Sequence, residues 1–184
     1  KEIVLTGVNI GTYRYEPNNF LDLLRALETV PGLSRIRISS IEPTTIDTEL
    51  VDFIAGSEKM CRYLHIPVQS GDDRMLESMR RKHSAAEYAR IVEYAAKKIP
   101  GVGLGTDVLV GYPEEDEAAF KNSKKLLADL PLAYFHVFTY SDRKGTTSYK
   151  MQPKVDHQVK KERMRIMSEL GRRKKHAYFM NYLN

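Results

Sequence analysis

The sequence predicts an α/β fold whose parallel strands curve into a partial (β/α) barrel rather than lie as a flat doubly wound sheet. Three observations predict it. Short strand-like runs alternate with helix-like segments along the whole chain, the signature of successive right-handed βαβ units. Each strand is apolar on one face only, whereas parallel strands covered on both faces read as unbroken apolar runs. The strand ends are rich in glycine and in hydroxyl, amide or carboxylate side chains, where ligands gather on α/β folds.

The first run, EIVLTGVN, leads through a loop rich in Gly, Pro and Asn into the helix FLDLLRALETV. There Phe20, Leu23, Leu24 and Leu27 share a face at helical spacing, and Pro31-Gly32 stops the helix. RIRISSIEP is the second strand, and Pro43 closes it ahead of a helix containing Leu50, Phe53 and Ile54. Asp47 and Glu49 sit near the start of that helix, where the macrodipole favours negative charge. YLHIPVQSG is the third strand, followed by the short helix DDRMLESMR. A longer helix opens at Ser84, with Glu87 three residues on, which is a capping box. GLGTDVLVGY is the fourth strand and AYFHVFTYS the fifth. The acids of GYPEEDE between them read as ordinary first-turn residues of the intervening helix.

Alternation assigns the faces. Ile36 and Ile38 oppose Arg37 and Ser39; Leu64, Ile66 and Val68 oppose His65 and Gln69; Val108 and Val110 oppose Asp107. Phe135 and Val137 oppose His136. One face therefore packs on helices, and the other collects Arg37, Ser39, His65, Gln69, Asp107 and His136. So many polar groups need water, a ligand or one another. A hollow lined for a ligand is the expectation, with a self-satisfied polar network as the alternative. His65 and His136 read as walls of that hollow, with a base or metal-ligand role as the other reading.

At 184 residues and 42% hydrophobic, the chain suits one domain with a sizeable core. No stretch is long and apolar enough for a membrane helix, and no membrane partner is expected. The opening KEIVLTGVNIG reads as a strand already under way, which suggests a piece of something longer. A single cysteine, Cys61, excludes an intrachain disulfide, a cluster or a structural zinc; it reads as a buried small hydrophobe, and no metal ligand set is expected. Residues 154–184 read as a basic helix set apart from a domain spanning 1–153. Residues 154–176 carry a net +6, leaving the rest near neutral, which points to a polyanionic partner or a solvated helix face. No GxGxxG, GxxxxGK[ST] or HExxH occurs, so dinucleotide, P-loop and zinc-hydrolase readings fall. An unrelated barrel enzyme acting on phosphorylated metabolites would need a glycine-rich phosphate loop near the last strands, where SDRKGTTSYK has one glycine.

KEIVLTGVNIGTY, RIRISSIEP, LHIPVQSGDDRMLESMRRKHS, GTDVLVGYPEEDE and HVFTYSDRKGTTSYKM together resemble the radical S-adenosylmethionine (SAM) methylthiotransferases. LTGVNIG and RISSIEP look like the branch acting on threonylcarbamoyladenosine in tRNA. The resemblance implies a TIM-like partial barrel of radical SAM type between a cluster-bearing N-terminal domain and a C-terminal RNA-binding module. It also implies SAM and 4Fe–4S clusters, the barrel cluster held by CxxxCxxC. That motif is absent here, so the match starts at the second barrel strand, and this fragment is expected to hold no cluster and to be inactive. The family pattern places Gly7 and Asn9 at the SAM amino group and Ser39, Ser40 and Glu42 at the ribose. Gln69 and Asp107 would face the same cavity, and Gly111 would lie near the adenine. Arg80 and Arg143 would meet substrate phosphate or the SAM carboxylate, or be plain surface residues. The implied partner is tRNA and the setting cytoplasmic; a sibling acting on a ribosomal protein and a non-catalytic SAM- or RNA-binding barrel are the alternatives. The EIVLTGVN edge, if unpaired, is expected to recruit another chain.

Overall fold

The computed structural model describes residues 1–183. Five parallel strands run in the order the sequence predicts: β1 (Glu2–Leu5), then β4 (Arg35–Ile38), β5 (Tyr63–His65), β6 (Gly103–Val110) and β7 (Tyr134–Thr139). A two-residue hairpin, β2 (Arg14–Tyr15) with β3 (Asn18–Asn19), interrupts the first connection. The helices are α1 (Phe20–Glu28), α2 (Thr48–Gly56), α3 (Asp73–Ser78), α4 (Ala85–Lys98), α5 (Glu117–Asp129), α6 (Thr147–Lys150) and α7 (His157–Met180).

Register pairs Val4 with Arg37 in β1–β4 and Leu64 with Leu104 in β5–β6. Across β6–β7, Asp107 pairs with His136. β4 and β5 are joined by an isolated bridge from Ile36 to Met60 and by the Ile41 amide donating to the His65 carbonyl at 3.0 Å. Among the described residues β1 and β7 are both edges, so the sheet does not close on itself.

The covered face is where the apolar alternation leads. Ile36, Ile38, Leu64, Ile66, Val68, Leu104, Val108 and Val110 join helix residues such as Leu24, Ile54, Tyr88, Val92 and Leu127 in one core. Thr106, a polar residue on this face, is satisfied by accepting the Val68 amide at 3.0 Å. The caps form as the local sequence dictates. Ser84 and Glu87 make their reciprocal box, and Asn19 with Asp22 makes a second one, hidden in the turn-rich loop.

Two expectations change, and the last helix shows how it is anchored. Cys61 is only half-buried: Met60 and Leu64 take the neighbouring core positions, leaving the thiol beside Arg37 on the open side. The basic helix, α7, packs onto the sheet. Met167 and Leu170 of α7 belong to the shared core, and the glycine at 171 lets the Phe135 ring approach, with a methyl there meeting it at 3.3 Å. Glu115 is no ordinary first-turn acid: Asp116 caps α5, while Glu115 is buried against Arg163 of α7.

Open face and strand ends of the sheet

The face away from the core carries the polar residues that alternation put there, tied by contacts from strand to strand. Arg37 Nε donates to Glu2 Oε1 at 3.2 Å, and its guanidinium lies 5.2 Å from the Tyr63 ring centre. The Tyr63 and Tyr134 hydroxyls are 2.6 Å apart, and the Tyr134 hydroxyl is 3.0 Å from His65 Nδ1. On its other side, His65 Nε2 lies 3.2 Å from Asp107 Oδ1. His136 stands beside both the His65 and Tyr134 rings. A Tyr134 hydroxyl donating to Nδ1 and an Nε2–H donating to the Asp107 carboxylate are the pairing these positions allow. Burial and the Tyr63 hydroxyl push the Tyr134 phenol well above its ordinary pKa, so it remains a neutral donor.

This network crosses β6 because β6 offers nothing there but backbone. A methyl on Gly105 would sit 2.2 Å from Tyr134 Cζ, so the ring occupies the space a side chain would fill. Both sequence expectations for this face are thus partly met: it is polar and half-open, and Arg37, His65 and Asp107 already have partners within it. Tyr63, Tyr134 and Glu2 were missed. Their signal was the same alternation, extended one step toward the start of each strand.

The strand ends divide into an open half and a clamped half. After β1, Gly7 and Asn9 are exposed, and the Asn9 side chain makes no hydrogen bond among the described residues. Ser39 and Ser40 after β4 are half-buried, and their hydroxyls are likewise unengaged. Glu42 is taken: Arg81 Nη1 reaches both its oxygens, at 2.9 and 3.0 Å. After β5, Gln69 adopts φ 69°, a strained value for a side-chain-bearing residue. Two backbone bonds to β6 hold it there: its amide to the Asp107 carbonyl and the Leu109 amide to its own carbonyl, each 2.9 Å. Its side-chain amide is unengaged.

The other ends are occupied from outside. Gly71 serves helix packing, since a methyl there would lie 2.7 Å from Ser123 Cα of α5. Gly111, expected to admit an adenine, has φ 74° and faces the Lys160 side chain, whose Cγ a methyl would meet at 2.4 Å. Its amide donates to Glu115 Oε2 at 2.7 Å, and Arg163 Nη1 donates to that same oxygen at 2.7 Å and to the Glu115 carbonyl at 2.8 Å. Burial outweighs Arg163 and keeps the Glu115 pKa above the usual carboxylate range. Arg80, at φ 58°, and Arg143 are both exposed and lie apart from the network.

Several cavities surround the sheet, among them one of about 430 Å³ in the loops after β1 and β4, lined by Thr12, Arg14 and Thr45. A larger one of about 670 Å³ lies between α2 and α4, with Lys82, Glu87, Arg90 and Asp47 in its wall. Another of about 310 Å³ opens at the N-terminal ends of β5, β6 and β7. Among the described residues no three His, Cys, Asp or Glu side chains cluster as a metal site, and no helix is long and apolar enough to cross a membrane.

Comparison with known proteins bears on this arrangement. A family model described as the radical SAM superfamily matches residues 1–127. Threonylcarbamoyladenosine tRNA methylthiotransferase MtaB of Aquifex aeolicus is 37% identical over 180 residues, covering 97% of this chain and 44% of that protein. MtaB of Bacillus subtilis is 38% identical, over 100% of this chain and 42% of its own length. The tRNA-2-methylthio-N(6)-dimethylallyladenosine synthase of Alkaliphilus oremlandii is 39% identical over 89% of this chain and 35% of its own. This chain therefore spans less than half the length of these relatives. Among solved structures, the radical SAM methyltransferase TsrM of Kitasatospora setae, with cobalamin and an iron–sulfur cluster bound, superposes with a TM-score of 0.60. That likeness has 16% identity and covers 75% of this chain and 27% of TsrM. Elp3 of Methanocaldococcus infernus gives 0.55 at 14% identity, over 81% of this chain and 39% of that one. These two likenesses speak to the fold. The chain belongs to the radical SAM superfamily, and the relatives it resembles within that family are the tRNA methylthiotransferases.

Proposed function

We propose that this chain is the core of the catalytic barrel of a radical SAM tRNA methylthiotransferase. The parent adds a methylthio group to a modified adenosine next to the anticodon, in the threonylcarbamoyladenosine branch. Five parallel strands with helices on one face fit strands two to six of a partial barrel. The observation that carries the reading is likeness over the full chain to enzymes of that activity. The site supports it through Ser39, Ser40 and Gln69. These half-buried polar groups on adjacent strand ends have no side-chain partner among the described residues, and a ribose or aminoacyl group would satisfy them.

The residues present suit SAM better than its cluster. Gly7 and Asn9 would meet the SAM amino group, Ser39 and Ser40 its ribose, and Gln69 and Asp107 the cavity between. Glu42 would have to share its carboxylate with Arg81, and Gly111 would act through the turn it shapes. SAM supplies the methyl group and the radical precursor when it is bound in the parent. One cysteine cannot hold a 4Fe–4S cluster, so the fragment alone makes no radical and binds SAM weakly. tRNA as substrate places the parent in the cytoplasm, and Arg80 and Arg143 are surface cations free for its phosphates.

The test is a longer parent carrying CxxxCxxC upstream of Lys1, assayed on unmodified tRNA and on ribosomal protein. Methylthiolation of tRNA is expected, with Gln69→Ala and Ser39→Ala raising the KM for SAM. Methylthiolation of protein alone would place the chain in the sibling branch. An upstream sequence without cysteines would leave a non-catalytic barrel.

A further inference from the structure

The cavity at the N-terminal ends of the strands lies at the opposite end of the sheet from Ser39 and Gln69, and its chemistry is different. Arg37, Arg62 and Lys175 provide its charge, Tyr63, Tyr178 and Phe179 its rings, and no Asp or Glu is in its wall. Arg37 is engaged by Glu2, but Arg62 and Lys175 have no carboxylate partner among the described residues. Arg62 reaches only the Pro100 carbonyl, at 3.4 Å, and Lys175 sits 5.8 Å from the Phe179 ring centre. Phe179 is 53% exposed, a large aromatic surface left to water beside two free cations.

We propose that this hollow binds one phosphorylated nucleotide unit, its phosphate between Arg62 and Lys175 and its base against Phe179. Cations beside a half-exposed ring, with the Tyr178 ring 5.9 Å away, match a phosphate joined to a stacking base, because base–aromatic stacking tolerates any base and the cations supply affinity. At about 310 Å³ the space is at the lower end of ligand pockets, roughly 300–1,000 Å³, which suits one nucleotide. The end of an RNA strand and a free mononucleotide share this chemistry. The helix that closes the hollow is held in place: the Tyr178 and Tyr182 hydroxyls donate to the Gly101 carbonyl at 3.1 and 2.7 Å. Tyr63 and Tyr134 belong both to this wall and to the chain of contacts through His65 to Asp107, so an occupant here is felt on the open face. The proposal goes beyond the methylthiotransferase reading and needs neither SAM nor a cluster.

The test is a nuclear magnetic resonance titration of the 184-residue chain with AMP, with inorganic phosphate, and with a 5′-phosphorylated RNA tetranucleotide. Saturable shifts of the Phe179, Tyr178 and His65 ring signals with AMP are expected, weakening as KCl rises. Arg62→Gln and Lys175→Gln should each lower affinity about tenfold, consistent with a charge-assisted hydrogen bond. Phe179→Leu should weaken AMP and leave phosphate unchanged. Tetranucleotide binding tighter than AMP marks an RNA end as the occupant, and equal affinity marks a free nucleotide; either supports the site. Absence of saturable binding, indifference to all three variants, or phosphate binding as tightly as AMP would each overturn it. So would a folded longer chain that excludes AMP because its own residues fill the hollow. None of these outcomes depends on methylthiolation, so this proposal and the functional one fail separately.

Discussion

On the covered face of β5 and just beyond it, Leu64 and Ile66 are 0% and 1% exposed and lie within the apolar core; on the other face of β5, Tyr63 and His65 are held through hydroxyls and a ring nitrogen. The covered face draws its stability from apolar area removed from water. The open face joins half-exposed groups such as Tyr63 to a buried His65 through hydrogen bonds, each worth less than a core side chain. What the contrast teaches is a division of labour. One face of each strand holds the fold, and the other is left free to be arranged for a ligand.

The strongest challenge to that division is Glu115 with Arg163, a charged pair on the covered side, with side chains 2% and 7% exposed. It joins the turn after β6 to α7, and Arg163 Nε has no partner among the described residues. Arg163→Met alone leaves a buried carboxylate without its cation, and a loss of about 3–5 kcal/mol in urea unfolding is expected. Replacing both, as Glu115→Leu with Arg163→Met, should recover much of that loss. A double variant as weak as the single one would mean that the carboxylate holds the Gly111 amide for structural reasons of its own.

Adjacent residues sharpen the contrast next. Leu64→Ala removes core volume and should cost about 2–5 kcal/mol, depending on how far the site collapses. Tyr63→Phe removes one hydroxyl from a half-open network and should cost about 0.5–1.5 kcal/mol. Both are read from the urea midpoint at unchanged slope. Equal losses would break the distinction between the faces.

The same contrast explains what the sequence disclosed. Strand order, the identity of each covered face and the Ser84 box depend on spacing within a few residues, and alternation reports them directly. The polar face was legible in part: alternation grouped Arg37, His65 and Asp107, and contacts through Tyr63 and Tyr134 link them across the strands. The pairing of Glu115 with Arg163 spans 48 residues of chain, and no local pattern carries it. Gly71, Gly105 and Gly111 read equally well as ligand space or as room for a neighbour; packing against Ser123, Tyr134 and Lys160 decided each one. Glu42 illustrates the same limit, since only the fold reveals that Arg81 already holds its carboxylate.

The smallest expected effect concerns a polar residue that obeys neither rule. His83 is buried in the wall between α2 and α4, and among the described residues neither ring nitrogen makes a well-formed hydrogen bond, although the Val68 backbone lies nearby. Burial disfavours its imidazolium and outweighs the nearby Val68 backbone, which favours it; Arg81 opposes the charge further, while Glu42 and Glu87 pull the other way, and the net result is a lowered pKa. A lowered value means that the unfolded chain binds the proton more readily than the folded one. Stability from this group is therefore complete above the ordinary imidazole pKa of about 6.5, and it drains away as pH falls from there through the folded value. His83→Phe cannot take up that proton. Its Tm should fall less between pH 7.5 and 5.5 than that of the parent chain, while every carboxylate contributes equally to both. Parallel Tm profiles over that interval would show that His83 gains a partner on protonation, and that its side of the cavity admits water.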